Sequence, residues 1–171
     1  MVIVGGEGVS YGSPPPGGGS WKEVMLKELE GQIDLSRVHF CGRVPYGQLL
    51  ALFRISAAHV YLTYPFVLSW SMLDAMACGV ALLASSTQPV EEVVQDGVNG
   101  LLVDFFDSAA IARKMAEMLA NPAALEPLRA AARRTVVERY DLHGHCLPRQ
   151  VALLEDVAAH GRSLAGVAAG V

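Results

Sequence analysis

Short apolar runs recur along the chain and are separated by stretches with helical spacing. Val2 to Val4 halts at Gly5-Gly6, and Val38 to Cys41 halts at Gly42. His59 to Leu62, Val80 to Ala84 and Leu101 to Val103 are three further runs of the same kind. Apolar runs of this length, bounded by turn residues, predict buried strands. Between them, Ser20 with Glu23 three residues on has the form of a capping box and predicts a helix over Trp21 to Glu30. Leu49, Leu50, Phe53 and Arg54 follow a helical period within Tyr46 to Ile55. Ser69 or Ser71 caps a helix that runs to Ala77 and ends at Gly79. Glu91 to Gln95 gives one helical turn or two, followed by the turn Asp96-Gly97-Val98-Asn99-Gly100. From Ser108 the pattern is helical: Ser108 to Leu119, Pro122 to Tyr140, and about Leu142 to His160, with Pro127 placing a helix start near Leu125.

The strand runs are continuous rather than alternating, which requires both sheet faces to be covered. Alternation of such strands with helices predicts an α/β fold, a doubly wound parallel sheet of about five or six strands of Rossmann-like form, with C-terminal helices. Ligands of such sheets bind beyond the carboxyl ends of the strands. Attention therefore falls on the loops after Val4, Cys41, Leu62 and Ala84. The loop Gly5 to Ser20, with Pro14-Pro15-Pro16 and Gly17-Gly18-Gly19, is read as flexible or extended. Residues 1–160 are expected to form one domain, and 161–171 a frayed tail of mostly small residues.

Composition narrows the function. The 171 residues are 52% apolar and 18% charged, as in a globular domain. The formal net charge of -4 disfavours non-specific nucleic-acid binding. No apolar run approaches the roughly 20 residues that span a bilayer, and the start MVIVGGEGVS is unlike a signal peptide, so the expected location is cytoplasmic. Cys41, Cys78 and Cys146 are odd in number, lie far apart and lack CxxC spacing. A disulfide framework or structural zinc is not expected, and a reducing compartment fits.

The glycine cluster Gly5-Gly6-Glu7-Gly8-Val9-Ser10-Tyr11-Gly12 follows a strand as a phosphate loop would. Tyr11 stands where the third glycine of a dinucleotide fingerprint belongs, and no Gly-Lys-Ser/Thr follows. The cluster is either a tight turn needing positive φ or a ligand contact. In Tyr61 to Ser85, a strand leads through a loop into a helix whose first turn is expected to hold Ser71 and Asp74. Free N–H groups at such a start favour an anion such as a diphosphate. Asp74 either accepts hydrogen bonds from two neighbouring sugar hydroxyls or stabilises the helix start by charge. His143-Gly144-His145-Cys146 lacks helical metal-ligand spacing, so no metal is expected. Asp104-Phe105-Phe106-Asp107 reads as a helix entry packing two aromatics. Arg129, Arg133 and Arg134 read as a solvated face, or one that meets another domain or an anionic membrane.

Three segments carry a family resemblance: Asp74-Ala75-Met76-Ala77-Cys78-Gly79-Val80, Phe40-Cys41-Gly42-Arg43-Val44, and Glu92 to Val103. In this order and spacing they resemble glycosyltransferase family 4, retaining enzymes of the two-domain GT-B fold, over residues 2 to 140. The resemblance implies a nucleotide-diphosphate-sugar donor, no cofactor, and the donor-binding C-terminal half of the enzyme. It implies that Asp74 meets the ribose hydroxyls and that Leu68, Ser69, Trp70 and Ser71 meet the phosphates and sugar. It places Gly42, Arg43 and Val44 near the base, and Gly5 and Gly6 along the cleft. Phe66 stands where the family has its first acidic residue, so either sugar recognition is rearranged around Ser69 and Trp70 or donor specificity is unusual. The family's phosphate-binding Arg and Lys, and its N-terminal acceptor domain, fall upstream of this sequence. Arg43 and Lys22 are nearby cations that occupy neither family position. A non-catalytic module pairing with a separate acceptor domain, or with itself through the exposed cleft face, is the alternative. A generic Rossmann or flavodoxin-type nucleotide module is a third reading, weakened by the missing fingerprint.

Overall fold

The computed structural model describes residues 1–9, 12–64 and 68–160. The chain divides into two compact units, Met1–Leu49 and Leu50–Val171.

In the first unit, β1 (Val2–Ile3) runs parallel to β2 (His39–Phe40), with Val2 opposite His39 and Ile3 opposite Phe40. Parallel strands need a crossover, and α1 (Trp21–Glu28) supplies it. The capping box forms as expected: Ser20 Oγ accepts from Glu23 N at 3.2 Å, and Glu23 Oε2 accepts from Ser20 N at 2.8 Å. The Trp21 indole N–H donates to Ser13 O at 3.0 Å and fixes the end of the preceding loop. The expectation of two covered sheet faces is not met here. Val2, Ile3 and Phe40 stay exposed, because a ribbon of two-residue strands with one crossover helix offers too little cover. α2 (Tyr46–Ile55) crosses the division between the units.

The second unit carries the doubly wound pattern. β3 (Ala58–Tyr61), β4 (Ala81–Ser85) and β5 (Leu101–Val103) are parallel in the order β3-β4-β5. α3 (Trp70–Ala77) links the first two and α4 (Gln88–Glu91) the last two. β4 is central, and all five of its residues are buried. Successive side chains on a strand point to opposite faces. Leu82 and Ala84 accordingly pack with Met72, Met76, Val90, Val93, Val94 and Ala132. Ala81 and Leu83 pack on the other side with Val103, Met118 and Leu125. Two apolar layers on one strand explain why its sequence is a continuous run rather than an alternation.

α5 (Ser108–Ala120) starts at Asp107, whose Oδ1 accepts from Ala110 N at 2.7 Å. Residues expected as one helix over 122–140 divide into a 3-10 turn, Pro122–Leu125, and α6 (Glu126–Tyr140), with Pro127 in its first turn. The segment expected as a single helix over 142–160 opens with a π turn, Leu142–Cys146, before α7 (Leu147–His160). The Asp141 carboxylate accepts from Gly144 N at 2.5 Å there, and a Cβ on Gly144 would come 2.9 Å from it. α4 lies upstream of the expected Glu91 to Gln95 turn, since Thr87 starts it and Pro89 fits its first turn. Residues 161–171 lie outside the described residues. Among those described, no helix is long and apolar enough to cross a membrane.

Candidate functional site

The strand ends of the first unit enclose a cavity of about 370 Å³. It is lined by the glycine loop Gly5, Gly6 and Gly8, by Phe40 and Gly42, and by Trp21 and Lys22 at the start of α1. Gly42 has φ of 63°, a left-handed conformation that glycine adopts freely and that turns the chain out of β2. Gly5 N donates to Gly42 O at 2.9 Å, joining the two strand-end loops. A Cβ on Gly6 would come 3.0 Å from Arg43 Nε, so the backbone of Gly6 passes directly beside that guanidinium. The structure thus brings Gly5, Gly6, Gly42 and Arg43 together, with Val44 half-buried beside them in sequence. It adds Lys22, whose Nζ lies 4.6 Å from the Phe40 ring centroid and 2.5 Å from Glu7 Oε1. Pairing across 15 residues leaves no trace in a linear pattern.

In the second unit the helix start expected after β3 is present. Ser69 is the N-cap, its hydroxyl accepting from Ser71 N at 3.3 Å and lying 3.0 Å from Ser71 Oγ. Trp70, the first helical residue, is 82% exposed. Two buried side chains fix the loop that carries this start. Tyr61, at the end of β3, accepts on its hydroxyl from Ser69 N at 2.9 Å. Ser85, at the end of β4, accepts from Thr63 N and donates to Thr63 O, both at 2.8 Å. A parallel register that sets Tyr61 against Ala84 puts both anchors at the same edge of the sheet. Sequence reasoning gave neither a role: Tyr61 fell inside the run His59 to Leu62, and Ser85 just past the run Val80 to Ala84. Their signal was a hydroxyl side chain at or just past the end of an apolar run.

Asp74 is half-buried in the second turn of α3, not the first, because the helix begins at Trp70. The stabilising effect of a carboxylate on a helix start fades beyond the first turn, so that reading of Asp74 loses its basis. Leu68 is partly buried against the core. Phe66 lies outside the described residues.

The remaining sequence features resolve into structural work. The Asn99 side chain accepts from Gln95 N at 2.7 Å and donates to Val93 O and Thr135 Oγ1, each at 3.0 Å. A Cβ on Gly100 would come 2.8 Å from Val94 Cγ1, so the Asn-Gly pair closes the turn before β5 against the core. Of the expected solvated face, Arg133 and Arg134 are exposed and Arg129 is half-buried. Arg129 donates to Ala57 O at 2.6 Å, and Arg133 donates to Ala77 O. Long side chains at a helix surface reach neighbouring carbonyls as readily as solvent. Phe105 and Phe106 do pack, edge to face, with each other and with Tyr64 at centroid separations of 5.0 to 5.9 Å. His59 on β3 lies against Phe53 at 4.9 Å, and burial lowers its pKa.

A central parallel strand covered on both faces, with strand-end loops leading into helices, is an α/β build whose ligands bind at the carboxyl ends of the strands. The chain superposes on a sucrose-phosphate synthase from Thermosynechococcus elongatus with a TM-score of 0.71 at 25% identity, over 92% of this chain and 38% of that one. It superposes on the Anabaena protein HepE in complex with UDP and glucose with a TM-score of 0.69 at 20% identity, over 91% and 40%. A glycosyltransferase from Methanocaldococcus jannaschii is 33% identical over 97 residues, 56% of this chain and 25% of that protein. The family model for glycosyl transferases group 1 matches residues 1–135, and the chain belongs to that family. It spans 25% to 34% of the length of the curated relatives it matches.

Proposed function

We propose that the chain binds a nucleotide-diphosphate sugar as the donor half of a retaining glycosyltransferase, which transfers a hexosyl group to a saccharide or lipid acceptor in the intact enzyme. The observation that carries the reading is the start of α3: a serine-capped helix of eight residues on a loop held at both ends by buried side chains. A helix start offers free N–H groups and a positive dipole end to a diphosphate. That HepE is a fold relative in complex with UDP and glucose supports this choice of ligand.

In the second unit, Leu68, Ser69, Trp70 and Ser71 are the proposed contacts to phosphates and sugar, and Asp74 the acceptor for the ribose hydroxyls. In the first unit, Gly42, Arg43 and Val44 are the proposed base contacts, and Gly5 and Gly6 the proposed cleft lining. Catalysis in the intact enzyme would rest on positioning and on stabilising the leaving diphosphate. This chain alone is expected to transfer little or nothing, with the acceptor domain as its partner.

Calorimetric titration of the chain with UDP, GDP and ADP, then UDP-glucose and GDP-mannose, tests the reading. One diphosphate should bind, and Asp74→Ala should abolish that binding while leaving the thermal melt in place. Failure of every nucleotide to bind overturns the proposal. The alternative, an interaction module for a separate acceptor domain, is favoured by α7, which exposes Leu147, Val151, Leu153, Leu154 and Val157 and has no buried residue. Co-elution with an acceptor domain in gel filtration, without nucleotide binding, is its expected signature.

A further inference from the structure

Within the second unit, the turn between β5 and α5 leaves aromatic surface that packing does not explain. Phe105 and Phe106 meet each other at 5.0 Å, and Tyr64, just past β3, meets them at 5.9 and 5.8 Å. Phe105 is half-buried, but Tyr64 stays 61% exposed and Phe106 74%. A cluster that served stability alone would bury more of its rings; a persistent exposed apolar patch marks a binding surface.

The rings are nonetheless held in place. Phe106 N donates to Asp104 Oδ1 at 2.8 Å and Asp107 N to Asp104 O at 3.2 Å, which fixes the turn that presents the two phenylalanines. Tyr64 follows Thr63, whose N–H and carbonyl are both bound by the Ser85 hydroxyl. All three rings therefore stand at the carboxyl ends of parallel strands, where sheets of this kind bind ligands. Asp104 also lines an open cavity of about 440 Å³ with Ser86, Asp96, Leu102 and Val103. That volume falls within the roughly 300–1,000 Å³ usual for ligand sites.

Charge and shape decide the occupant. Asp96 and Asp104 are the charged residues of the described lining, and no cation joins them. Each gives Oδ1 to a backbone N–H, of Leu102 and of Phe106, and Oδ2 of each has no donor among the described residues. Two carboxylates without a cation repel a diphosphate, so the cavity does not suit a nucleotide. Rings 5.0 to 5.9 Å apart and tilted by 70° to 86° leave no cage between them for an organic cation. A second copy seated on the same patch would set Asp104 and Asp107 against their own counterparts. A neutral saccharide meets every requirement. Its C–H face stacks on an exposed aromatic ring, and its hydroxyls donate to the open carboxylate oxygens.

We propose that Tyr64, Phe105, Phe106, Asp96 and Asp104 form a binding site for a neutral saccharide free of phosphate, on the acceptor side of the transfer. Tyr64 and Phe106 supply the stacking surface, and Asp104 accepts from the hydroxyls beside it. The site uses none of the nucleotide contacts named above. It goes beyond the donor reading, because it needs no nucleotide to be filled.

The test is an amide NMR titration of the full chain with maltotriose, cellotriose and mannotriose, as wild type, Phe106→Ala and Phe106→Trp, with a thermal melt of each. At least one trisaccharide should shift the signals of residues 63–64 and 104–107, and added UDP should leave those shifts in place. Phe106→Ala should melt as wild type does, since the ring is mostly exposed, and should weaken the sugar by about three- to tenfold. Phe106→Trp should restore binding. No shift with any of the three sugars overturns the inference and leaves the donor reading standing. Equal affinity in wild type and Phe106→Ala overturns it too, as does displacement of the sugar by UDP. Tetramethylammonium or self-association occupying the patch in place of sugar also overturns it. If a trisaccharide binds there and no nucleotide binds at all, the donor reading falls and this inference stands.

Discussion

Asn99 offers the sharpest test of how the second unit is held together. The residue is 6% exposed, and its amide makes three hydrogen bonds, to Gln95 N, Val93 O and Thr135 Oγ1. Asn99→Ala removes all three. Thr135 keeps a partner, because its hydroxyl also donates to Ala131 O at 2.9 Å. The Gln95 N–H and the Val93 carbonyl are left without the Asn99 side chain beside a packed core. Each unsatisfied buried group costs about 1–3 kcal/mol, and with some water entry the loss should be about 2–4 kcal/mol. Urea unfolding followed by circular dichroism reads this directly: at a slope of about 2 kcal/mol/M the midpoint should drop by about 1–2 M. Thr135→Val removes only one of the three bonds and should cost about 1 kcal/mol. An Asn99→Ala midpoint within error of wild type would refute the reasoning, because the turn would then be held by backbone and packing alone.

Two further outcomes are expected. Tyr61→Phe removes only the hydroxyl that Ser69 N donates to; it should cost about 1 kcal/mol in thermal or urea unfolding, and nucleotide affinity should fall while the melt stays cooperative. Burial holds the His59 imidazole below its ordinary value of 6.5 in the folded state. The unfolded chain therefore takes up this proton first, and the stability of the second unit should fall as pH drops below 6.5 until His59 is protonated in the folded state too. Urea midpoints measured across that range check the direction, and His59→Gln should flatten the dependence.

Local chemistry was legible and distant pairing was not. α2 runs over the same residues, Tyr46–Ile55, that its spacing predicts, and the Ser20-Glu23 capping box is present in full. Both depend on neighbours within four residues. The continuous apolar run of β4 correctly implied cover on both faces, because a strand between two layers has no polar side to show. α4 begins upstream of the expected Glu91 to Gln95 turn, since Pro89 sits in its first turn, where a missing N–H costs nothing. The Lys22–Glu7 pair, the Ser85–Thr63 clasp and the arginine bonds of α6 join residues 15 to 72 positions apart. No periodicity encodes such distances. Of the candidate site, the glycine loop and the start of α3 were visible as motifs, while the side chains that set their geometry were not.

α6 has a bearing on how this domain can be handled. Arg129 reaches the carbonyl of Ala57 before β3, Arg133 that of Ala77 at the end of α3, and Arg139 that of Glu92 after α4 at 3.4 Å. One helix therefore works as a buckle across three connections made earlier in the chain. During synthesis the sheet residues emerge before α6, whose arginines can reach them only once that helix has itself left the ribosome. A recombinant piece cut where the family match ends, at residue 135, would discard Arg139 together with Val136 and Tyr140, which pack on the main core. It would carry every motif of the family and keep the Arg129 and Arg133 bonds, but it would lose the third fastening and part of the core packing beneath it.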